Sequence, residues 1–256
     1  MGNTGSQALP QDVVDAAMDG DARKVCAFLD AGGDIDAQST IGQTLLNFAT
    51  YGHGSPRVHL ARELLARGAD PNLAGDAGGT PLHNTASGFS STSFTCTKLL
   101  LEHGADPNAV CTNNGDTPLS DALSHGFTSE TWHTKKIVLA LLRAGAKLEN
   151  PSNFGRAWTA EALLQHKEDH NYFGRYNTDS PDFAATKALI AGVRKAGSYM
   201  RYVQLPMCKD VMVLRALAVK GRATTTCPAL QFLIDAPDEV AWKVLSFWRV
   251  DEPSSN

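Results

Sequence analysis

The sequence lacks an excess of basic residues and a long apolar run, and each absence excludes a class of protein. The formal net charge of −4 argues against a nucleic-acid-binding body, which normally carries a basic face. No apolar stretch approaches the roughly 18 residues that a membrane-spanning helix needs, and no signal-peptide core follows the first methionine. We therefore expect a cytoplasmic protein that binds no nucleic acid.

Cysteines are few and show no pairing pattern. The five are odd in number, lie far apart and form no Cys-x-x-Cys pair. This spacing favours free thiols in a reducing compartment over a disulfide framework or a zinc site. The cysteines are Cys26, Cys96, Cys111, Cys208 and Cys227.

Motifs of catalysis are also missing. The sequence contains no glycine-rich phosphate loop, nucleophile elbow or Cys/His pair. His166 and His170 are four residues apart and would share a helix face, but no third metal ligand accompanies them. This favours a charged helix end over a metal site. We expect no catalytic residue, no cofactor and no metal.

What the sequence does contain is a repeat. Thr80-Pro81-Leu82 returns as Thr117-Pro118-Leu119 and, more weakly, as Thr44-Leu45-Leu46, at intervals of 37 and 36 residues. A second phrase, Gly-Ala-Asp-Pro-Asn, ends at Asn72 and again at Asn108. A fixed period of this size is typical of a stacked solenoid.

The chemistry of these phrases predicts helix–turn–helix units. Threonine caps a helix N-terminus, and proline suits the first helical position, where no amide partner is needed. At the other end, glycine closes a second helix because it adopts the left-handed conformation without strain. An extended finger then leads to the next unit. The closing glycines are Gly32, Gly68, Gly104 and Gly145.

With these phrases the sequence resembles the ankyrin repeat family, whose motif is Thr-Pro-Leu-His with a closing Gly-Ala-Asp. The resemblance implies an all-α solenoid of helix–turn–helix units with short finger loops. It also implies that the motif histidine ties neighbouring repeats through backbone hydrogen bonds. That role falls here on His83 only, because Asn47 and Ser120 occupy the same place in two other units.

The repeat phrases divide the chain into segments. We assign residues 10–200 to about five units, after a flexible leader at 1–9. A C-terminal helical module at 201–250 closes the array, and a tail follows at 251–256.

The fifth unit is degenerate and contains a polar and aromatic insert at about residues 165–181. One interpretation is a solvated loop in a decaying repeat. The other is a partner-contacting arm that carries Tyr172, Phe173 and Tyr176, since aromatic residues are frequent interface anchors.

A unit of this kind does not bury its own apolar face, so neighbouring units stack and leave a continuous wall exposed. The resemblance implies that this wall is concave and binds other proteins. We therefore predict a monomeric protein–protein interaction module or scaffold whose partner the sequence does not name. The predicted partner-binding residues lie at finger tips and at first-helix ends: Thr40, Ile41, Asp76, Asn113, Asn114, Tyr51, Phe89, His125 and Phe127.

The first six residues match the pattern for myristoylation of Gly2. The alternative is a flexible polar leader without modification. A single myristoyl chain binds membranes only marginally, so a modified protein would associate with membranes transiently.

The last fifty residues place apolar side chains at helical spacing, namely Leu214, Leu217, Val244, Leu245 and Trp248. One interpretation is a cap that seals the stacking face of the last repeat. The other follows from the segment that ends at Trp248, which resembles the opening helix of an F-box and the layout of a suppressor-of-cytokine-signalling box. That resemblance implies a substrate receptor that docks a ubiquitin-ligase adaptor.

Overall fold

The computed structural model describes residues 8–51, 55–75, 78–88, 91–127, 133–149, 159–171 and 176–203. The chain divides into two compact units, Met1–Ile190 and Ala191–Asn256. The boundary between them lies inside the range predicted for the repeat array.

The regular structure of the described residues is helical, as the sequence predicts. Its α-helices are α1 (Gln11–Asp19), α2 (Ala22–Asp30), α3 (Leu45–Thr50), α4 (Ser55–Ala66), α5 (Pro81–Ala86), α6 (Ser91–Glu102), α7 (Pro118–His125), α8 (Thr134–Arg143), α9 (Ala160–Asp169) and α10 (Pro181–Ala196). Among the described residues, extended pairing is confined to two isolated bridges, Gln38 with Thr44 and Glu149 with Thr159.

The threonines, prolines and glycines predicted to start and end helices lie at the observed helix ends. The hydroxyl oxygens of Thr44, Thr117 and Thr159 each accept a hydrogen bond from the backbone N–H three residues later, at 3.2 to 3.3 Å. Pro81 and Pro118 occupy the first turn of their helices. The four closing glycines have positive φ values, which confirms the left-handed C-caps: Gly32, Gly68, Gly104 and Gly145.

The helices pack as pairs that stack into two rows. Each pair α1–α2, α3–α4, α5–α6 and α7–α8 is a hairpin in contact. The first helices contact one another in the order α1, α3, α5, α7, α9, and the second helices in the order α2, α4, α6, α8. We call these the first-helix row and the second-helix row. The core lies between them and includes fully buried Leu46, Leu64, Leu82, Leu100 and Leu123.

Two predicted segment boundaries are wrong. Leu9, assigned to the leader, is buried and its N–H donates to the Gln38 carbonyl at 3.1 Å. The fold therefore starts before residue 10. Helix α9 runs to Asp169, so the insert predicted from residue 165 begins inside a helix. Residues 165–169 form the end of α9, in keeping with the charged helix end expected there, and Lys167 is the buried residue of this stretch.

In the second unit, the described residues comprise the end of α10 and a helical stretch up to residue 203. The rings of Tyr199 and Tyr202 lie 6.4 Å apart. Among the described residues, no helix combines the length and the apolar character that crossing a bilayer requires.

Candidate functional site

The exposed side of the first-helix row follows a repeating burial pattern. In each of α1, α3, α5 and α7, two buried residues are followed by a residue that is more exposed than they are. Two further buried residues come next, and the residue after these is at least partly exposed. The matching positions form two lines of four residues that we call the first-helix face. The inner line is Asp15, Phe48, Asn84 and Asp121, and the outer line is Met18, Tyr51, Ser87 and Ser124.

Among the described residues of the first unit, the exposed large apolar residues lie between α1 and the residue after α3. Tyr51, which directly follows α3, is 73% exposed, and Met18 of α1 is 47% exposed. Ile41, on the finger between them, is 60% exposed. These three are the exposed large apolar side chains among the described residues of the first unit.

The two rows differ in charge. Helices α1, α3, α5 and α7 contain four aspartates and no lysine or arginine. The second helices α2, α4, α6 and α8 contain eight lysines and arginines against three acidic residues. The first helices are therefore more acidic than the second helices, although Asp12 is paired with Lys24 of α2 at 3.3 Å.

Asparagine side chains connect each finger to the next one. Asn72 Nδ2 donates to the Gly104 carbonyl at 3.1 Å, and its Oδ1 accepts from the Asp106 N–H at 2.8 Å. Asn108 makes the same two bonds, with the Gly145 carbonyl and the Lys147 N–H. No role was predicted for Asn72 and Asn108, although both recur at the end of the Gly-Ala-Asp-Pro-Asn phrase.

The Asp36 carboxylate occupies the equivalent place one repeat earlier. It accepts from the Asp70 N–H at 3.0 Å, which matches the acceptor half of the Asn72 pattern. A carboxylate has no proton to donate to the glycine carbonyl of the next unit. The first connection of the series therefore lacks the donor half of the pattern.

His83 ties neighbouring units, as the resemblance implies. Its Nδ1 accepts from the Thr80 N–H at 3.1 Å, and its Nε2 lies 3.1 Å from the Asp116 carbonyl, 33 residues further on. With Nδ1 as acceptor, Nε2 carries the proton and donates. Burial lowers the pKa of this histidine, so the neutral ring is favoured.

The prediction that His83 alone makes such a tie is wrong. Asn47 Nδ2 donates to the Leu73 carbonyl at 3.2 Å and to Thr44 Oγ1 at 3.1 Å. The amide thus spans the same gap that the imidazole spans one unit later. Ser120, with a shorter side chain, closes its own helix start by accepting from the Thr117 N–H at 2.8 Å.

A family comparison agrees with the unit length, the capped helix starts and the hydrogen bonds between fingers. Residues 54–152 match the family model of ankyrin repeats, in three copies. This segment consists of ankyrin repeats. No curated protein matches the chain. The first-helix row extends beyond the match on both sides, because α3 contacts α5 before it and α9 contacts α7 after it. The second-helix row extends beyond it on the N-terminal side, because α2 contacts α4.

Most predicted partner-binding residues that the structure describes are accessible on the ankyrin repeats or the helices beside them. The exposed ones are Thr40, Ile41, Tyr51, Asn113, Asn114 and His125. Among them, Tyr51 lies on the first-helix face, and His125 follows Ser124 at the end of α7.

The prediction for Phe127 is wrong, because this side chain is only 1% exposed. Its ring packs edge-on against Phe183 of α10, with ring centroids 4.9 Å apart. The backbone is fixed as well, since the Phe127 carbonyl accepts from the Asn177 N–H at 2.6 Å. Phe127 belongs to the core that joins the fourth and fifth units.

Tyr176 is also not a free arm. Its ring covers Lys167, with the lysine Nζ 3.5 Å from the ring centroid. Lys167 is 3% exposed, and its Nζ donates to the Ser124 carbonyl at 2.8 Å and the Gly126 carbonyl at 3.2 Å. A lysine of α9 thereby satisfies the C-terminal carbonyls of α7, a position where the helix dipole favours a cation.

Other predicted residues lie outside the described residues, and their predictions stay untested: Gly2, Asp76, Phe89, Tyr172, Phe173, Leu214, Leu217, Val244, Leu245 and Trp248. His166 and His170 share a helix side as expected, with rings stacked 4.1 Å apart. The described part of the chain contains no group of three or more metal-ligating side chains. Its cysteines, Cys26, Cys96 and Cys111, form no disulfide.

Asp121 is the titratable group of the first-helix face with the strongest perturbation. Asp121 is 7% exposed. Burial raises the pKa of its carboxyl to about 8, and the nearby Asp116 charge contributes in the same direction. His125 Nδ1 lies 4.0 Å from its Oδ1. At neutral pH the carboxyl is therefore largely protonated.

Proposed function

We propose that the first-helix face binds a partner protein. Ankyrin repeats are a protein–protein interaction module, and they are generally not catalytic. The observation that carries the proposal is the exposure of Met18 on α1 and of Tyr51 at the end of the adjacent first helix, α3. A tyrosine offers a large apolar area at low entropic cost, and such residues are frequent energetic centres of interfaces.

The first-helix face suits recognition because hydrogen bonds to the following fingers hold its helices in place. The bonds from Asn47 and His83 fix neighbouring first helices through their following fingers. A preorganised surface loses little entropy on binding, so a modest area supports a specific contact. Shape and exposed side chains, rather than a catalytic motif, then define the partner.

Affinity capture with paired charge variants tests the proposal. The double variant Met18→Arg/Tyr51→Arg changes the first-helix face at two exposed positions. The control His59→Arg/Ala66→Arg makes the same change at exposed positions of α4, in the second-helix row. Captured proteins are quantified by mass spectrometry from extracts of the native cell.

We expect the first variant to lose the specific partner and the control to retain it. Equal recovery by wild type and the Met18→Arg/Tyr51→Arg variant would remove the first-helix face from the interface. Circular dichroism of all three proteins checks that helix content is unchanged.

We extend the proposal to the oligomeric state and the cellular location of the protein. We infer a non-catalytic, cytoplasmic monomer without a cofactor, and described cysteines that form no disulfide are in keeping with a reducing compartment. Light scattering on the purified chain checks the monomer. Imaging of the Gly2→Ala variant beside wild type checks whether any membrane association depends on that glycine.

A role as substrate receptor of a ubiquitin ligase is the alternative function. It rests on the sequence of residues 236–248, in which Val244 and Leu245 precede Trp248. Full-length chains with and without the Val244→Asp/Leu245→Asp change are compared for co-purification of adaptors. Adaptor recovery that is equal in both, or absent from both, rejects the docking role.

A further inference from the structure

We propose that His83 makes the junction between the third and fourth repeats open reversibly in mild acid. The third repeat contains the hairpin α5–α6, and the fourth contains α7–α8. Such opening is a conformational device of the stack and does not depend on the proposed partner binding. Three observations carry it: the hydrogen bonds of both ring nitrogens, the burial of the ring, and the residues at the same place in the other repeats.

Both nitrogens of the His83 ring are committed to this junction. Nδ1 accepts from the Thr80 N–H at 3.1 Å and lies 2.8 Å from Thr80 Oγ1, at the start of α5. Nε2 lies 3.1 Å from the carbonyl oxygen of Asp116, the residue before the cap of α7. A neutral imidazole has one donor and one acceptor nitrogen, so these contacts use the ring completely and fix its tautomer.

A second proton has to enter this ring at Nδ1. The protonated ring has two donors and no acceptor, so the Thr80 N–H loses its partner even when Thr80 Oγ1 accepts the new proton. Thr80 is 6% exposed and His83 is 4% exposed, so water does not replace the lost bond in the closed junction. An unpaired buried donor is costly. Opening lets water reach both groups, and the charged ring therefore favours the open junction.

Burial of the ring acts in the same direction as this geometry. It lowers the pKa of His83 below the ordinary value of 6.5, and the contacts with the Asp116 and Ala109 backbone and the Asp116 charge offset only part of this effect. In the open junction the solvated ring regains its ordinary pKa. Between the two values the open state binds more protons than the closed state. The open population therefore grows as pH falls below 6.5.

His83 is the one residue at its place in the first-helix row that titrates near neutral pH. The third residue of each first helix is Val13 in α1, Asn47 in α3, His83 in α5, Ser120 in α7 and Ala162 in α9. The connection between the fingers of the third and fourth repeats is an amide, Asn108, whose bonds do not titrate in mild acid. Acid should therefore act on the α5–α7 side of the junction and leave the finger side joined.

The other titratable groups near α5 either keep their protons in mild acid or lie at the surface. Helix α5 packs against α3, α6 and α7, and α3 contains no titratable side chain. Burial raises the pKa of Cys96 in α6 to about 11 and that of Asp121 in α7 to about 8, so both stay protonated. The exposed groups on α6, on α7 and on the finger between them are Lys98, Glu102, His125 and Asp106.

Native-state hydrogen exchange of the full-length chain between pH 7.5 and 5.0 tests the inference, with NMR detection of the Thr80 N–H. Protection factors correct for the pH dependence of chemical exchange and report how often this amide opens. The variant His83→Asn replaces the ring with the amide that α3 uses at the same place. The reverse variant, Asn47→His, moves the ring to the preceding repeat. His59→Gln, at an exposed histidine of α4, is the control.

We expect the His83 ring to have a bare Nδ1 and a protonated Nε2 at pH 7.5, as read from its nitrogen chemical shifts. Protection of the Thr80 N–H should then fall by as much as about tenfold per pH unit below 6.5, while the Phe48 N–H of α3 stays protected. His83→Asn should remove this fall, and His59→Gln should leave it unchanged. Asn47→His should introduce a similar fall at the Thr44 N–H.

Two results in the wild type would overturn the inference. One is protonation of the His83 ring without loss of Thr80 protection, which would show that the closed junction accepts the charged ring. The other is an equal loss of protection at Thr80 and Phe48, which would indicate unfolding of the whole stack. Both readings hold even if His83→Asn fails to fold. In a folded His83→Asn variant, a loss equal to that of the wild type would assign the acid effect to another group and reject the role of His83.

Discussion

Asn72 Nδ2 lies 3.1 Å from the Gly104 carbonyl oxygen, across 32 residues of chain. The same side chain accepts from Asp106, so one amide satisfies a donor and an acceptor at the end of the following unit. Asn108 repeats the arrangement one unit later. Each repeat is thereby aligned with its neighbour by the finger side as well as by the packed helices, and this alignment sets the spacing of the first-helix face.

Removal of the Asn72 amide should loosen this alignment. We expect Asn72→Ala to lower the free energy of unfolding by roughly 1–2 kcal/mol, because two hydrogen bonds are lost on an accessible surface. Urea unfolding followed by circular dichroism measures the change. The control is Asn113→Ala at an exposed finger tip, and an equal effect of both substitutions would contradict a connecting role.

Asp36→Asn should have the opposite effect. The new amide retains the acceptor for the Asp70 N–H and adds a donor toward the Gly68 carbonyl, which lies 32 residues on as in the Asn72 pair. We expect a gain of about 0.5–1 kcal/mol in the free energy of unfolding. Thermal and urea unfolding beside wild type check it, and a loss of stability would show that the carboxylate is preferred there.

Lys167 should be important for stability despite its charge. Lys167→Met retains much of the apolar volume but leaves the Ser124 and Gly126 carbonyls without this donor and removes the cation under Tyr176. We expect a loss of roughly 2 kcal/mol or more. Lys136→Met, at an exposed position of α8, is the control. If the two variants unfold at the same urea concentration, the Lys167 contacts contribute nothing measurable.

Asp121 should give stability a specific pH dependence. The pKa of its carboxyl is about 8 in the folded chain and 3.8 in its ordinary state, so between these values the folded state holds a proton that the unfolded state has released. Stability falls as pH rises across this window, by at most about 1.4 kcal/mol per pH unit from this one group. Asp121→Asn cannot titrate and should lose that component.

The measurement is urea unfolding of wild type and Asp121→Asn from pH 4.5 to 8.5. The stability of the variant relative to wild type should increase with pH and then level off. Asp19→Asn, an exposed aspartate of α1, should run parallel to wild type. A constant difference between wild type and Asp121→Asn would show that the carboxyl titrates normally.

The fold could be predicted from sequence because its signals are local. Thr44 and Thr117 cap helices through their own following residues, and glycine closes a helix through its own backbone. Such features recur at a visible period, so the units and their helical pairs follow directly. The bond from His83 to the next unit was also predicted, because the resemblance to ankyrin repeats implies it.

The rest depends on contacts between distant segments. Phe127 looked like an exposed aromatic after a helix, but Phe183 of α10 covers it, and nothing near Phe127 in sequence indicates this. Lys167 likewise looked like part of a charged helix end, whereas its partners lie about 41 to 43 residues earlier. The separation of charge between first and second helices emerges only once the helices are sorted into rows.

The most direct test of the central claim is the amide chemical-shift map of the isotope-labelled chain during titration with the partner recovered by affinity capture. The account predicts the largest shifts at Met18, Tyr51, Ser87 and Ser124, along the first-helix row. Largest shifts along α2, α4 and α6, with the first helices unchanged, would contradict it.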